Sequence, residues 1–309
     1  MNTLKMKLIN SSFEIIEQRP GLEGMWKHVE KCARTAYKSE NYITENSYVK
    51  FCDMLKERGH LACFEQGTVY LEFKNTEIMY ISLFKENPYS FVTETADKTY
   101  ITTNMRVIHE CDLYNVLSHL CAPTEHHVYR ITVKITCSRS ISHEIVRHRA
   151  FSFIQESQRY CRYSSSKFNS EITYIIPQWV HDIRFNISNE SHPMTKESYK
   201  YLLYLQDESW LRELTTLDRT VATWYDSLSK SEADYIFMTT TDESCKLQPQ
   251  EARSILPNDC KTEICITGTT LQWQEFFRLR CAKDAHPDMQ RIAIPLKEEF
   301  INRGYICTE

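Results

Sequence analysis

Apolar positions along this chain switch repeatedly between a period of two and a helical period. Residues 4–16 alternate loosely and end in Phe13-Glu14-Ile15-Ile16, which reads as a strand stopped by Pro20-Gly21. Met25, Trp26, Val29, Cys32, Ala33, Ala36 and Tyr37 then recur at helical spacing and predict an amphipathic helix over 22–37. A second helix follows over 44–58, with Val49, Cys52 and Leu55 on its face and Gly59 as its stop. Alternation predicts strands over 67–73, 130–137 and 171–176, the last closed by Pro177, and an extended stretch over 100–103. Residues 112–121 and 140–146 read as short helices, and the polar stretch 180–195 as a loop. From 195 to about 229 the pattern is helical again, through Tyr201, Leu205, Leu211, Leu214, Val221 and Trp224. Pro249 and Pro257 bound a short helix, with Pro249 suited to its first turn. Residues 271–282 predict a helix with Trp273, Phe277 and Arg280 on one face. An ion pair from Arg280 to Asp284, one turn on, is the plain structural account of that arginine.

Composition narrows the class. The 309 residues are 42% apolar and 25% charged, as in ordinary globular proteins, and no internal repeat or low-complexity linker divides them, which predicts a single domain. A formal charge of -4 argues against a dedicated nucleic-acid or membrane-surface binder. No apolar run approaches the roughly 20 residues of a membrane span, and the N-terminal segment lacks the features of a secretory signal. The twelve cysteines include no Cys-x-x-Cys pair and read as reduced thiols of a cytoplasmic protein. Six glycines form neither a Gly-x-Gly-x-x-Gly nor a Walker loop, so a bound nucleotide would be held by side chains and helix ends. His143 and His148 stand at i and i+5, about 140° apart on a helix, whereas chelation on one face needs i and i+4; no metal site is expected.

One stretch departs from the acidic background. Arg139, Arg147, Arg149, Arg159 and Arg162 face only Glu144 and Glu156, and aromatic residues separate the charges. Guanidinium groups set among aromatics suit planar or phosphorylated anions, because arginine pairs bidentately with phosphate and stacks on rings. Structural ion pairs are the alternative.

The order Arg147-His148-Arg149, seven residues, then Ser157 resembles the signature of the flavin-dependent thymidylate synthases, and Gln158-Arg159-Tyr160 continues it. Four further blocks resemble that family in its order: Ala33 to Tyr37, Gly59-His60 with Phe64-Glu65, Ala252-Arg253 through Pro257, and Phe276 through Arg280. Ala285-His286-Pro287 resembles its longer-chain branch. The resemblance implies an α+β fold, a mixed sheet flanked by helices, with insertions at about 85–128 and 178–200. It implies methylation of dUMP to dTMP, with methylenetetrahydrofolate as carbon donor, NADPH as reductant and FAD as the relay, in a homotetramer with shared active sites. By the same resemblance Arg147, Gln155, Ser157, Gln158, Arg159, Arg253 and Arg280 bind dUMP, with Arg280 catalytic at the pyrimidine edge. His60, Arg147, His148, Arg149, Thr269 and Glu275 line the flavin. Cys161, beside the motif, reads as a packed thiol and not as a nucleophile.

The chain departs from the family's commoner pattern. Gln155 stands where a Glu is frequent, Glu144 where a Gln is, and Ala36 and Ala62 where Ser and Thr are. Thr269, Leu271 and Glu275 replace residues that commonly assist flavin binding. Two alternatives stay open: a relative that hydroxymethylates C5 or accepts dCMP, and an RNA-binding module that stacks bases on the Arg-aromatic run.

Overall fold

The structure, a computed structural model, describes residues 6–191, 211, 214–216, 218–240 and 246–307. In chain order, β1 (Lys7–Ile9) and β2 (Ser12–Ile16) precede α1 (Gly21–Tyr37) and α2 (Ser47–Glu57). Next come β3 (Thr68–Lys74), α3 (Ile78–Glu86), β4 (Phe91–Glu94), β5 (Lys98–Asn104) and α4 (Met105–Glu110). The central stretch is β6 (Arg130–Ser138), α5 (Arg139–Ile145), β7 (Ser152–Gln155), β8 (Thr173–Ile175) and α6 (Gln178–Ser191). The chain closes with α7 (Arg219–Thr240), α8 (Pro249–Ala252), β9 (Lys261–Thr269), α9 (Thr270–Arg280) and α10 (Pro287–Asn302).

Helix and strand are mixed, as expected, but among the described residues the strands do not form one mixed sheet. Among the described residues they form three sheets: an antiparallel β2-β6-β9-β7, an antiparallel β3-β5-β4 and a parallel β1-β8 pair. The expected strand over 4–16 is therefore two strands in different sheets, parted at Asn10-Ser11. The 180–195 loop is also corrected. Residues up to Ser191 belong to α6, whose Val180 and His181 are buried. Of the helix expected over 195–229, Tyr201 and Leu205 lie outside the described residues, while α7 begins at Arg219. The start is fixed by Asp218, whose Oδ1 accepts from the backbone N–H groups of Thr220 and Val221 at 2.8 and 2.9 Å.

Three strands run directly into helices through a side-chain cap, without an intervening loop. Asn104 ends β5 and accepts from the N–H groups of Arg106 and Val107. Ser138 ends β6 and accepts from Ile141 N–H. Thr269 ends β9 and accepts from Gln272 N–H, while the Gln272 side chain returns a bond to Thr269 N–H, a reciprocal capping box. β6 and β9 pair over nine residues, from Arg130↔Thr269 to Ser138↔Lys261. One rigid two-strand unit therefore fixes the starts of both α5 and α9. Gly268 sits where that unit meets Phe151; a Cβ there would overlap the Phe151 ring.

Each face of the architecture has its own core. α1, α2 and the three-stranded sheet close over Val29, Leu55, Phe64, Leu71 and Ile101. α5, α9 and α10 cover the four-stranded sheet, around Val133, Ile266, Trp273, Phe277 and Phe300. α7 and α8 pack on the β1-β8 pair through Tyr174, Leu228 and Ala252. Trp273, fully buried, donates its indole N–H to Ile131 C=O at 3.1 Å, so its polar atom is satisfied.

The cap on α9 gives a direct test. Thr269→Ala is expected to cost about 1 kcal/mol of stability, the usual cost of losing a hydroxyl cap, while Thr269→Ser retains most of it. Urea unfolding of the two variants checks this; equal midpoints would remove the cap from the account.

Candidate active site

The site is built around α5 and the segment that follows it. Arg280, the last residue of α9, donates from Nε to His148 Nε2 at 2.9 Å, from Nη1 to Glu144 Oε2 at 2.8 Å and from Nη2 to Glu144 C=O at 3.0 Å. The anticipated partner Asp284 is thus replaced by one 136 residues away in sequence. Because His148 Nε2 accepts, its ring proton sits on Nδ1. The ring lies 5.0 Å from that of Phe276, centre to centre, and 6.2 Å from that of Phe151. Burial, and then the adjacent Arg280 charge, pull the imidazole down to about 4, so it is neutral at physiological pH.

A second group forms where the motif segment crosses the end of α1. Ser157 N–H donates to Ala36 C=O at 3.0 Å, and the Tyr160 ring lies 5.4 Å from Tyr37. The Tyr37 hydroxyl meets His60 Nδ1 at 2.6 Å. Arg159 stands exposed over Tyr160, its guanidinium carbon 5.8 Å from the ring centre. The structure therefore brings His60, Ser157 and Arg159 to one region through Tyr37, a residue that the sequence placed only on the apolar face of a helix. Its signal was present: a tyrosine at the last position of that helix, inside a block that resembled the family.

Gln155 and Gln158 face inward. Gln155 Nε2 donates to Ser142 Oγ at 2.8 Å and to Thr262 Oγ1 at 3.2 Å, tying β7 to α5 and β9. Gln158 is buried and directs its amide at Cys260 Sγ, 3.6 Å away. Thr269 is 2% exposed, with its hydroxyl engaged as the α9 cap. Glu275 is exposed and makes a two-point ion pair with Arg278, at 2.7 and 2.6 Å. Arg253, just beyond α8, is exposed, with no side-chain partner among the described residues. Its helix packs in the same core as Cys161 and Tyr163, which hold the Arg159 segment.

The five arginines from 139 to 162 decide between ion pairing and anion binding. Among the described residues none lies within 4.0 Å of a carboxylate oxygen. Arg139 donates to Glu156 C=O and Thr262 Oγ1, and Arg162 to Gln248 Oε1. Arg147 and Arg149 are exposed, with no side-chain acceptor among the described residues. The nearby acid is committed elsewhere: Glu156, 2% exposed, accepts from Tyr163 OH at 3.1 Å and Lys261 Nζ at 2.8 Å. These guanidinium groups are available to phosphate or pyrophosphate oxygens, the chemistry that dUMP and FAD would bring. Among the described residues no group of three His, Cys, Asp or Glu could hold a metal ion, and no helix is long and apolar enough to cross a membrane.

Comparison with known proteins decides the family. A family model described as thymidylate synthase complementing protein matches residues 85–303, well over half of the chain. The chain belongs to this family. The flavin-dependent thymidylate synthase of Mycobacterium tuberculosis strain H37Rv is 29% identical over 159 residues, 51% of each chain. That of Mycobacterium marinum is 28% identical over 166 residues, 53% of this chain and 54% of the relative. The chain thus spans about half the length of the curated relatives it matches. The thymidylate synthase complementing protein match contains α5, the Arg147–Ser157 signature, Arg253 and Arg280, all of which the geometry ties to β6, β9 or the core beside them. His60 and Tyr37 precede it.

Three buried or half-buried histidines give the fold an acid-sensitive side. Burial, with nearby positive charge, pulls His28 and His181 down to about 3, as it pulls His148 to about 4. In an unfolded chain histidine takes up its proton below about 6.5. Between pH 6.5 and 4 the unfolded state therefore binds more protons, and stability falls as pH falls. Urea midpoints should be flat between about pH 7 and 8 and decline through that window; a flat profile down to pH 4.5 would contradict the burial of neutral imidazoles.

Proposed function

We propose that this protein is a flavin-dependent thymidylate synthase that converts dUMP to dTMP, using methylenetetrahydrofolate, NADPH and bound FAD. The observation that carries the reading is the set of guanidinium groups without carboxylate partners around the signature, next to an arginine held rigidly by Glu144 and His148. The names of the relatives support it at the level of the family's chemistry.

In this reading Arg159 and Arg253 hold the dUMP phosphate, and Ser157 supplies a hydroxyl to the nucleotide. Arg147 and Arg149 hold flavin phosphates, and neutral His148 presents its Nδ1–H. When bound, FAD supplies the redox chemistry and the relay of the one-carbon unit. Arg280 has three of its five N–H bonds committed to His148 and Glu144. One on Nη1 and one on Nη2 remain for the pyrimidine edge, where they stabilise negative charge as C5 becomes nucleophilic. Gln155 acts through its bonds to Ser142 and Thr262, and Gln158 through its burial against Cys260, so both position the loop. Thr269 contributes by setting the start of α9. A homotetramer with shared sites fits the exposed placement of Arg147, Arg149 and Arg253, whose side chains have no partner among the described residues, and the reading places the protein in the cytoplasm.

The test is product analysis by mass spectrometry after incubation with dUMP or dCMP, methylenetetrahydrofolate, FAD and NADPH. The expected product carries one added methyl group. A hydroxymethyl product, or turnover of dCMP alone, would replace this reading with that of the C5-hydroxymethylating or dCMP-acting relative. No nucleotide product and no bound flavin would overturn it.

The chain supplies no candidate nucleophile at the signature. Cys161 is 2% exposed, and burial, with the neighbouring Glu156 charge, pushes its thiol up to about 12. Cys161→Ala is expected to retain kcat within about twofold, because a protonated, packed thiol does not attack; near-complete loss of turnover with flavin still bound would contradict this.

A further inference from the structure

A cavity of about 240 Å³ lies between β2, β3 and the first residues of β6, apart from every residue assigned above to nucleotide or flavin. Arg130 lines it. Its guanidinium donates to three neutral acceptors: Thr68 Oγ1 at 3.3 Å, Glu65 C=O at 3.1 Å and Ser152 Oγ at 3.3 Å. No carboxylate oxygen among the described residues lies within 4.0 Å of it. Both nearby acids are engaged elsewhere, Glu65 with Arg106 at 2.6 Å and Glu17 with Arg303 at 2.9 Å. Among the described residues the Nε–H and one Nη1–H are left without acceptors. Tyr70, also in the wall, accepts from Arg130 N–H at 3.2 Å and keeps its own O–H proton uncommitted among the described residues.

A charge withdrawn from water without a counter-ion is costly, and burial pulls this guanidinium down to about 10, still leaving it a cation at neutral pH. The Arg130–Tyr70 side of the cavity is thus rich in donors. Glu17 also lines the cavity, its carboxylate taken up by Arg303, as do Gln18 and Thr68, which bond to each other, whereas Ile15, Leu120, Pro123, Tyr129 and Tyr305 are apolar or aromatic. A phosphate dianion would leave those walls uncovered, and an uncharged ring would leave the donors unmet. The volume is below that of drug-sized pockets, about 300–1,000 Å³, and suits a single ring. We propose that this cavity is a binding site for a small aromatic carboxylate, its carboxylate on Arg130 and Tyr70 and its ring against the tyrosine and aliphatic walls. The proposal does not depend on the reading of the Arg280 site.

The probe is benzoate, titrated calorimetrically into the full-length protein, with acetate and inorganic phosphate as controls. Saturable one-to-one binding of benzoate is expected, weakened at least about tenfold by Arg130→Gln, since a charge-assisted carboxylate bond is lost. Tyr70→Phe, which keeps the ring and removes one donor, should weaken it about threefold or more. Thermal unfolding identifies a misfolded Arg130→Gln; Tyr70→Phe then decides. Absence of saturable binding to the wild type, or affinity unchanged in whichever of these variants folds, would overturn the proposal. So would acetate or phosphate binding as tightly as benzoate, which would make the site a plain anion hole.

Discussion

Arg280→Ala is expected to lower kcat for the proposed methylation of dUMP by about 10²–10³-fold, the usual loss when one preorganised donor to developing negative charge is removed. Flavin content and unfolding temperature should change little. The expectation rests on how the side chain is held. Its exposure is only 19%, and three bonds to His148 and Glu144 fix the plane of the guanidinium before any ligand arrives. A fork already oriented loses no rotamer freedom when charge develops on the substrate. Lysine has one nitrogen and cannot reproduce three bonds in a plane, so Arg280→Lys should resemble the alanine variant more than the wild type. Glu144→Gln should have a smaller effect, because the backbone C=O of residue 144 and His148 Nε2 continue to orient the fork. If Arg280→Ala retained more than about a tenth of kcat under saturating substrates, the electrostatic role would be lost. A rise in KM alone would reassign Arg280 to uniform binding.

The partner of Arg280 marks the limit of what the sequence could say. Spacing on a helix offers a charge one turn away, which is why Asp284 was the natural expectation. The actual partners, Glu144 and His148, lie on α5 and in the turn after it, brought there because β6 and β9 pair in register and each ends in a helix-capping hydroxyl. Local rules can describe a cap but not such a contact, since register between distant strands is not written in a short window. β9 itself was missed for a related reason. Thr262, Thr267 and Thr269 give it a polar look, yet all three are at most 2% exposed and bond inward. Thr267, for example, meets Thr132 Oγ1 at 2.7 Å and Gln66 Oε1 at 2.6 Å. A central strand satisfied by threonine hydroxyls shows no apolar alternation. By contrast, α1 and β6 were legible because one face of each is apolar at a regular period. The Arg-His-Arg signature was legible as chemistry, but the inward turns of Gln155 and Gln158 needed the packing around Thr262 and Cys260.

The largest expected loss of stability comes from Lys261. Its ammonium, 14% exposed, joins Glu156 at 2.8 Å to Glu263 at 2.7 Å, and Glu263 continues to Lys38 at 2.8 Å. Burial disfavours the Glu263 charge, but Lys261 and Lys38 outweigh it and hold that carboxyl at about 2. Burial likewise opposes the Lys261 charge, and the two carboxylates outweigh it, holding the group well above the usual lysine range. Lys261→Met leaves both carboxylates in place without the shared cation. Breaking a buried pair in this way costs about 3–5 kcal/mol, and the bonds kept from Tyr163 and Lys38 put the expectation near 3 kcal/mol. The sign of the pH dependence separates this from a packing defect. In the variant Glu263 loses one of the two cations that hold its carboxyl low, so the folded variant takes up protons more readily than the folded wild type as pH falls from 7 towards 5. In the wild type Glu263 stays charged throughout that window. The gap in urea midpoint should therefore narrow on acidification, and Glu156→Gln combined with Lys261→Met should recover part of the loss at pH 7. A pH-independent gap, or no recovery in the double variant, would mean that the methionine fits badly and that the ion chain does not hold β9 to the signature segment. Because Glu156 lies between Gln155 and Ser157, the same chain ties the stability of the core to the placement of Ser157 and Arg159.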